Sequence, residues 1–185
     1  MKQSLVQLSR TLAYALRHDP ASFGLQLDAE GWVDVQDVLH ALSQRRSAWS
    51  QLCEEDIVAL MAQSDKQRFE LRDGRIRAYY GHSFAQKILH TPDSPPTFLF
   101  HGTTPQAYEH IRQQGLLPME RQYVHLSAEK KTALQVARRR TTSPALLKIA
   151  AQQAAQQGIH FYLGNDMVWL ADKIPPHLIS IEQTE

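Results

Sequence analysis

Apolar residues near the start of the chain recur at helical spacing. The leucines that carry this pattern are Leu5, Leu8, Leu12 and Leu16. Their steps of three and four residues predict one buried face of an α-helix. A second helix is predicted after Asp34, which can cap it, and a third over CEEDIVALMAQSD, whose acidic residues fall in the first turn.

The pattern then changes from helical to alternating. In FELRDGRIRAYY, apolar and polar residues alternate on both sides of Asp73-Gly74, a dipeptide that favours a tight hairpin turn. Three short helices followed by a two-stranded hairpin predict a winged-helix module. Such modules often bind nucleic acid but also serve as structural or protein-binding units, so the pattern leaves both roles open.

A proline-rich segment, HTPDSPPT, interrupts the periodic pattern at residues 90–97. We therefore predict a lobe over residues 1–90, a linker over 91–96 and a second lobe over 97–185. Strands are predicted in TFLFHGTT, YVHLS, SPALLKIA and LISIE, and helices in PQAYEHIRQQG, AEKKTALQVARRR and AAQQAAQQG. A hairpin over HFYLGNDMVWLADKI should turn at Gly164 to Asp166. The predicted fold class is α+β.

Charge alone does not indicate a polyanion-binding protein, because 20 basic and 19 acidic residues leave a formal net charge of +1. Affinity for a polyanion must come from local clusters. One cluster falls between Lys66 and Arg77, and a second between Lys130 and Arg140. Four of the five cations in the first cluster are arginines, whose planar fork suits phosphate. A solvated hairpin with scattered charges would show the same composition.

Several classes of protein are excluded by missing motifs. The single cysteine, Cys53, rules out an intrachain disulfide and a multi-cysteine zinc site, and we interpret it as a small buried apolar residue. The chain has no HExxH, GxGxxG or Walker motif, so we expect no metal and no Rossmann or P-loop nucleotide site. It also lacks a membrane span and a signal-peptide apolar core, which predicts a soluble, cytoplasmic protein, by default a monomer.

Three histidines lie at positions where they could bind a ligand. Arg17 and His18 end the first helix just before Pro20, where cations either complement the helix dipole or bind an anion. His101 follows the apolar run TFLF and precedes Gly102 and Thr103, and His125 lies inside YVHLS. Either histidine can hydrogen-bond a sugar or an amide, and glycine can let a ligand approach the backbone. Each can equally be a satisfied core histidine.

Six short motifs, in this order, resemble the RNA 2'-phosphotransferase (Tpt1/KptA) family: LRHDP, DKQRF, IRAYYGHS, FHGT, YVHLS and ARRR. The resemblance extends from about Leu8 to Ile181. It implies an amino-terminal winged-helix RNA lobe and a carboxy-terminal ADP-ribosyltransferase-like lobe that holds NAD. It also implies NAD-dependent removal of an internal RNA 2'-phosphate in two steps, through a 2'-phospho-ADP-ribosylated RNA. The products would be RNA with a 2'-hydroxyl, nicotinamide and ADP-ribose 1'',2''-cyclic phosphate.

The resemblance also implies roles for individual residues. The catalytic set would be Arg17, His18, Arg68 and Arg139. The NAD-binding set would be His101, Gly102, Thr103, His125, Ser127 and Val168, and the RNA-binding set Lys66, Arg75, Arg77 and His82. Many protein-modifying ADP-ribosyltransferases have glutamate at the position of Val168, so the valine argues against a protein acceptor. NAD would be consumed as a co-substrate, and no metal is implied.

The chain departs from the family pattern at two places. Tyr79 and Tyr80 replace residues that are commonly polar, which could exchange a polar contact for stacking on a base. The family often has RHG where this chain reads Arg139-Arg140-Thr141, so the catalytic arginine could also be Arg138 or Arg140. Two other functions stay open: an ADP-ribosyltransferase that modifies nucleic-acid phosphate ends or free phosphate, and an NAD-responsive nucleic-acid-binding protein without catalysis.

Overall fold

The computed structural model of the protein describes residues 2–64 and 66–182, and the chain divides into two compact units between Leu89 and His90. The first unit contains α1 (Lys2–Arg17), β1 (Val33–Asp34), α2 (Val35–Arg45), α3 (Glu54–Ala62), β2 (Phe69–Arg72) and β3 (Arg75–Ala78). The second contains β4 (Leu99–Thr103), α4 (Pro105–Gln114), β5 (Val124–Ser127), α5 (Lys130–Ala137), β6 (Ala145–Ile149), α6 (Ala151–Gln156), β7 (Phe161–Asn165), β8 (Val168–Ala171) and β9 (Ile179–Glu182). Short 3-10 turns cover Ala21–Phe23, Ser47–Trp49 and Pro176–Leu178. The predicted mixture of helices and strands is confirmed, and both sheets are antiparallel.

The first unit is built around the predicted apolar face of α1. Leu8, Leu12 and Leu16 are buried, and Leu5 packs against the same core. The Asp34 carboxylate caps α2 by accepting a hydrogen bond from the Gln36 amide at 2.8 Å, as the sequence predicts. Val38 of α2, Ile57 of α3 and Ile76 of β3 belong to the same core as the α1 leucines, so the helices and the sheet of this unit share one core.

The hairpin of β2 and β3 turns at Asp73-Gly74, as predicted. Both residues have positive φ, 51° and 70°, the geometry of a type I' turn that matches the twist of the strands. The sequence analysis did not predict β1, which adds a third strand by pairing Val33 with Ile76. Two residues are too short to show alternation, so only the tertiary pairing reveals this strand.

The second unit contains a six-stranded sheet in the order β7-β8-β5-β4-β6-β9. Its core includes Leu99, Leu126, Leu147 and Phe161. The proline-rich segment is attached to this unit, because Pro92 forms a bridge with Tyr162 and the Asp93 amide donates to the Phe161 carbonyl at 2.8 Å. The residues predicted as a linker thus run along the edge strand β7 at this point.

Two local predictions are corrected by the structure. Cys53 is exposed, and it precedes α3, where its backbone amide and its thiol donate to the Asp56 carboxylate at 3.0 and 3.3 Å. It is therefore a helix-capping residue and not part of the core. The β7–β8 hairpin turns at Asp166-Met167 and not at Gly164 to Asp166, because Gly164 lies within β7 at a register shift. The Asn165 side chain accepts from the Met167 amide at 3.0 Å and stabilises the later turn.

Within the described ranges, no helix has both the length and the apolar character needed to cross a membrane.

Candidate functional site

At the end of α1, the Arg17 side chain contacts the start of β2. The guanidinium donates a hydrogen bond to the backbone carbonyl of Arg68 at 3.0 Å. Its Cζ lies 5.2 Å from the centre of the Tyr80 ring and 5.8 Å from that of Phe69, within the range of cation–π attraction. Capping of the helix dipole does not require such contacts. Arg17 is therefore oriented by the sheet and by the segment that follows it.

His18 is held by the same segment. Its Nδ1 lies 2.8 Å from the Ser83 hydroxyl, and its ring lies 5.8 Å from that of Tyr14 one helical turn earlier. The Ser83 amide donates to the Arg17 carbonyl at 2.9 Å. Ser83 thus binds both the last residue of α1 and the residue that follows it.

Arg68, which precedes β2, connects these groups through its backbone. Its carbonyl accepts from the Tyr79 amide at 3.0 Å as well as from Arg17. Its own guanidinium donates to the Ser64 hydroxyl at 2.8 Å and lines a cavity of about 240 Å³ together with Lys66. The C-terminal end of a helix carries a partial negative charge, which repels anions. An anion bound at the end of α1 would therefore need the positive charge of Arg17 and Arg68. The structure brings Arg17, His18 and Arg68 into one connected arrangement.

The four residues predicted to bind RNA have different surroundings. Lys66 is exposed at the cavity. Arg75 forms an ion pair with Asp28 at 2.9 Å, and Arg77 forms one with Glu70 at 2.7 Å. Carboxylates therefore compensate part of the positive charge that the sequence places in the hairpin.

The fourth of these residues, His82, is buried, with 2% of its surface exposed, and it packs edge-on against Phe84. Its contact with RNA stays a prediction that this position does not support. Tyr80 contacts Arg17 and Ser83 contacts His18, and the sequence analysis assigned neither contact. Tyr80 and Ser83 both lie in the IRAYYGHS motif, and that motif was the signal that could have identified them. Asp65 of the DKQRF motif lies outside the described residues.

In the second unit, the predicted NAD-binding residues gather where the sheet is narrowly joined. Strand β4 pairs with β6 over five residue pairs, and β5 pairs with β8 over four. Among the described residues, backbone pairing between β4 and β5 is limited to Phe100 and Ser127. Next to this pair, the His125 carbonyl is contacted by the His101 side chain, whose Nδ1 lies 3.0 Å from the carbonyl oxygen.

The hydrogen bond to His125 determines the tautomer of His101. A carbonyl can only accept, so Nδ1 carries the proton and Nε2 of the neutral ring is an acceptor. Burial lowers the pKa of His101, and the hydrogen bond with the His125 carbonyl offsets only part of this effect. His101 is therefore neutral near pH 7 and offers an acceptor suited to a sugar hydroxyl.

His125 is oriented at both ring nitrogens. Its Nδ1 lies 3.0 Å from the Tyr123 carbonyl, to which it must donate. Its Nε2 then accepts from Nη1 of Arg121 at 3.2 Å. The sequence analysis did not identify Arg121, although it lies only four residues before His125.

Gly102 has a structural reason to be glycine. A Cβ atom at this position would lie 2.1 Å from the carbonyl oxygen of Ala133, so α5 can approach β4 only if the side chain is absent. Thr103 and Ser127 are each 9% exposed, and Val168 lies opposite Ser127. Because side chains alternate along a strand, His101 and Thr103 point to one face of the sheet and Gly102 to the other. The six residues share one region, but the role of each toward NAD stays a prediction.

Arg139 lies in the turn that follows α5. Its amide donates to the Val136 carbonyl at 3.3 Å, and Arg138, Arg139 and Arg140 are all exposed. None of the three side chains forms a hydrogen bond or an ion pair with the part of the chain that the structure describes. Nothing in these positions distinguishes the three arginines, so the choice of Arg139 stays a prediction.

Within residues 2–64 and 66–182, no three histidine, cysteine or carboxylate side chains form a group that could hold a metal ion. The absence of a metal from the reaction is still only an expectation.

Comparison with known proteins gives consistent matches along the chain. The family model described as RNA 2'-phosphotransferase, Tpt1/KptA family, matches residues 3–173. A probable RNA 2'-phosphotransferase of Acetivibrio thermocellus is 49% identical over 176 residues, which cover 95% of this chain and 96% of the relative. The protein of the same description from Bacillus thuringiensis is 44% identical, with 95% of both chains covered. That from Thermococcus kodakarensis is 36% identical, with 98% of this chain and 99% of the relative covered.

Proposed function

The chain belongs to the RNA 2'-phosphotransferase, Tpt1/KptA family, and from this we propose that it transfers an internal 2'-phosphate of RNA to NAD. Membership makes the protein a transferase of a family that acts on RNA. The finer proposal is that NAD is the co-substrate and that the phosphate leaves as ADP-ribose 1'',2''-cyclic phosphate. The observation that supports phosphate binding is the connection of Arg17, His18 and Arg68 through one carbonyl and one serine. The use of NAD is proposed from the family resemblance.

We assign phosphate binding to these three residues. The two arginines remain protonated throughout a reaction near neutral pH, so they can stabilise developing phosphoryl charge without transferring a proton. Histidine is the member of the set whose charge can change near neutrality. We therefore propose that His18 helps bind the phosphate and assists the second step as a general acid. Arg139 is proposed as the fourth member on the basis of the family resemblance.

The residues at the β4–β5 junction have the chemistry to hold the nicotinamide riboside of NAD. His101 offers an acceptor at Nε2, and Thr103 offers a hydroxyl that can donate or accept. NAD would supply an electrophilic ribose carbon together with a neutral leaving group, so correct positioning matters more than proton transfer in the first step. Many protein-modifying ADP-ribosyltransferases have glutamate at the position of Val168, so the valine supports RNA phosphate over protein as the acceptor.

The same proposal extends to the architecture of the two units. Three helices followed by a short sheet with a hairpin support a winged-helix RNA lobe over residues 1–90. Short strands with a narrowly joined sheet support an ADP-ribosyltransferase-like lobe over residues 97–185.

The test is a single-turnover assay on a short RNA that carries one internal 2'-phosphate, with and without NAD, resolved on a gel. We expect loss of the phosphate only with NAD, with a transient, slower-migrating ADP-ribosylated RNA. The matched control is the same RNA with a 2'-hydroxyl, which should release no nicotinamide. Nicotinamide release with a 5'-phosphorylated end but not with the internal 2'-phosphate would contradict the proposal. So would NAD binding without any change in the RNA.

A further inference from the structure

A strained turn precedes the NAD-binding strand β5. Pro118 to Arg121 form a four-residue turn closed by the Arg121 amide, which donates to the Pro118 carbonyl at 3.1 Å. Met119 is the second residue of this turn, with a φ of 59° and 84% of its surface exposed. A residue with a side chain rarely adopts this conformation, and no buried packing of Met119 compensates for it. Such strain is retained mainly where a fixed geometry serves a function.

The turn is fixed at both ends. Before it, Leu116 exchanges backbone hydrogen bonds with Ile174 at 2.9 and 3.0 Å. After it, Tyr123 is buried and Val124 begins β5. The exposed residues 119–121 are therefore presented from a rigid frame.

The turn places the Arg121 guanidinium against His125. The contact between Nη1 and Nε2 is 3.2 Å. Because the Nδ1 proton of His125 is directed to the Tyr123 carbonyl, His125 cannot donate from Nε2 to a ligand in its neutral form. His125 thus orients a cation at the edge of the junction that holds His101.

We propose that Arg121 binds phosphate oxygens, and specifically the pyrophosphate of NAD, with His125 as its positioning residue. This inference rests on the proposed use of NAD. Arg121 contacts a residue of the junction assigned to the nicotinamide riboside, and in NAD the pyrophosphate is joined directly to that ribose. A planar guanidinium matches two phosphate oxygens better than any other side chain does.

Calorimetry with ADP-ribose and anisotropy with 2'-phosphorylated RNA test the assignment on the full-length protein. Arg121→Ala should weaken ADP-ribose binding about 10- to 100-fold, the loss expected for one or two charge-assisted hydrogen bonds. Arg121→Lys should recover part of this loss, and RNA affinity should change less than twofold. The matched control is Arg112→Ala, which removes an exposed arginine of α4 that is paired with Glu109. It should leave both affinities unchanged.

The possible results separate this inference from the function itself. Absence of ADP-ribose and NAD binding in the unmodified protein would refute the proposed function. Normal binding of ADP-ribose by Arg121→Ala would refute only the role of Arg121. Weaker binding of RNA alone would assign the cation to an RNA phosphate, and an equal loss for both ligands would indicate a general effect on the fold. Either result would overturn the pyrophosphate assignment.

The strained residue gives an independent test of positioning. Met119→Gly accepts a positive φ without steric strain, so it should bind ADP-ribose as the unmodified protein does. Met119→Val introduces a β-branched residue that strongly disfavours this conformation, and it should weaken ADP-ribose binding several-fold. Equal affinity in the two variants would show that the turn does not position Arg121.

Discussion

Replacement of Ser83 by alanine tests whether the orientation of His18 matters for catalysis. The change removes the hydroxyl that lies 2.8 Å from His18 Nδ1 and preserves the backbone hydrogen bond to the Arg17 carbonyl. A net hydrogen bond contributes about 0.5–1.5 kcal/mol, and water can replace part of it here because both side chains are exposed. We therefore expect a loss of about 0.5–1 kcal/mol, which corresponds to a two- to fivefold slower second step.

The assay is the single-turnover reaction on 2'-phosphorylated RNA, with rates of both steps taken from the same gel. Ser83→Thr keeps the hydroxyl and should retain most of the rate. Ser50→Ala, at an exposed serine after the Ser47–Trp49 turn, is the matched control. Thermal unfolding of Ser83→Ala should shift by only about 1–4 °C, as expected for a loss of this size.

A double-mutant cycle decides whether the effect passes through His18. In a His18→Ala background, Ser83→Ala should have no further effect, because the group that it orients is already absent. An equal slowing in both backgrounds would refute the reasoning, and so would an unchanged rate in the single variant.

Other predictions concern both units. His18→Ala and Arg68→Ala should leave folding nearly intact but slow the second step more than the first, so that ADP-ribosylated RNA accumulates on a gel; normal turnover in both would contradict their roles. His101→Ala should raise the NAD concentration needed for half-maximal rate. Because the pKa of His101 is lowered from the ordinary value of about 6.5, its Nε2 should still accept hydrogen bonds at pH 6.5. Calorimetry should show a constant ADP-ribose affinity from pH 8 down to pH 6.5, and a loss of affinity above pH 6.5 would contradict this. Gly102→Ala should clash with Ala133 and destabilise the fold by about 1–3 kcal/mol, measured by urea unfolding; unchanged stability would show that α5 can move away.

Local features of the fold could be predicted from the sequence because they depend on short-range rules. The spacing of Leu8, Leu12 and Leu16 predicted a buried helix face, since burial of one face requires that period. Asp73-Gly74 predicted the hairpin because both positions need a positive φ, which this dipeptide tolerates. Six short motifs in order were also sufficient to identify the family.

Features that depend on distant residues were not predictable in this way. The burial of Cys53 was predicted wrongly because its exposure depends on the start of α3 and on the Asp56 carboxylate. No local pattern could show that Gly102 lies against α5, because the contact joins a strand and a helix.

The candidate site also combines features that the sequence determines with features that depend on distant residues. The sequence by itself determined which residue types are available, including Arg17, His18, Arg68 and His101. The tertiary structure decided that the Arg17 guanidinium meets a carbonyl 51 residues away and that Ser83 binds His18. It also decided that the sheet joins at one pair beside His101. The physical reason is that side-chain chemistry belongs to each residue alone, whereas strand register and packing depend on segments that lie far apart in the chain.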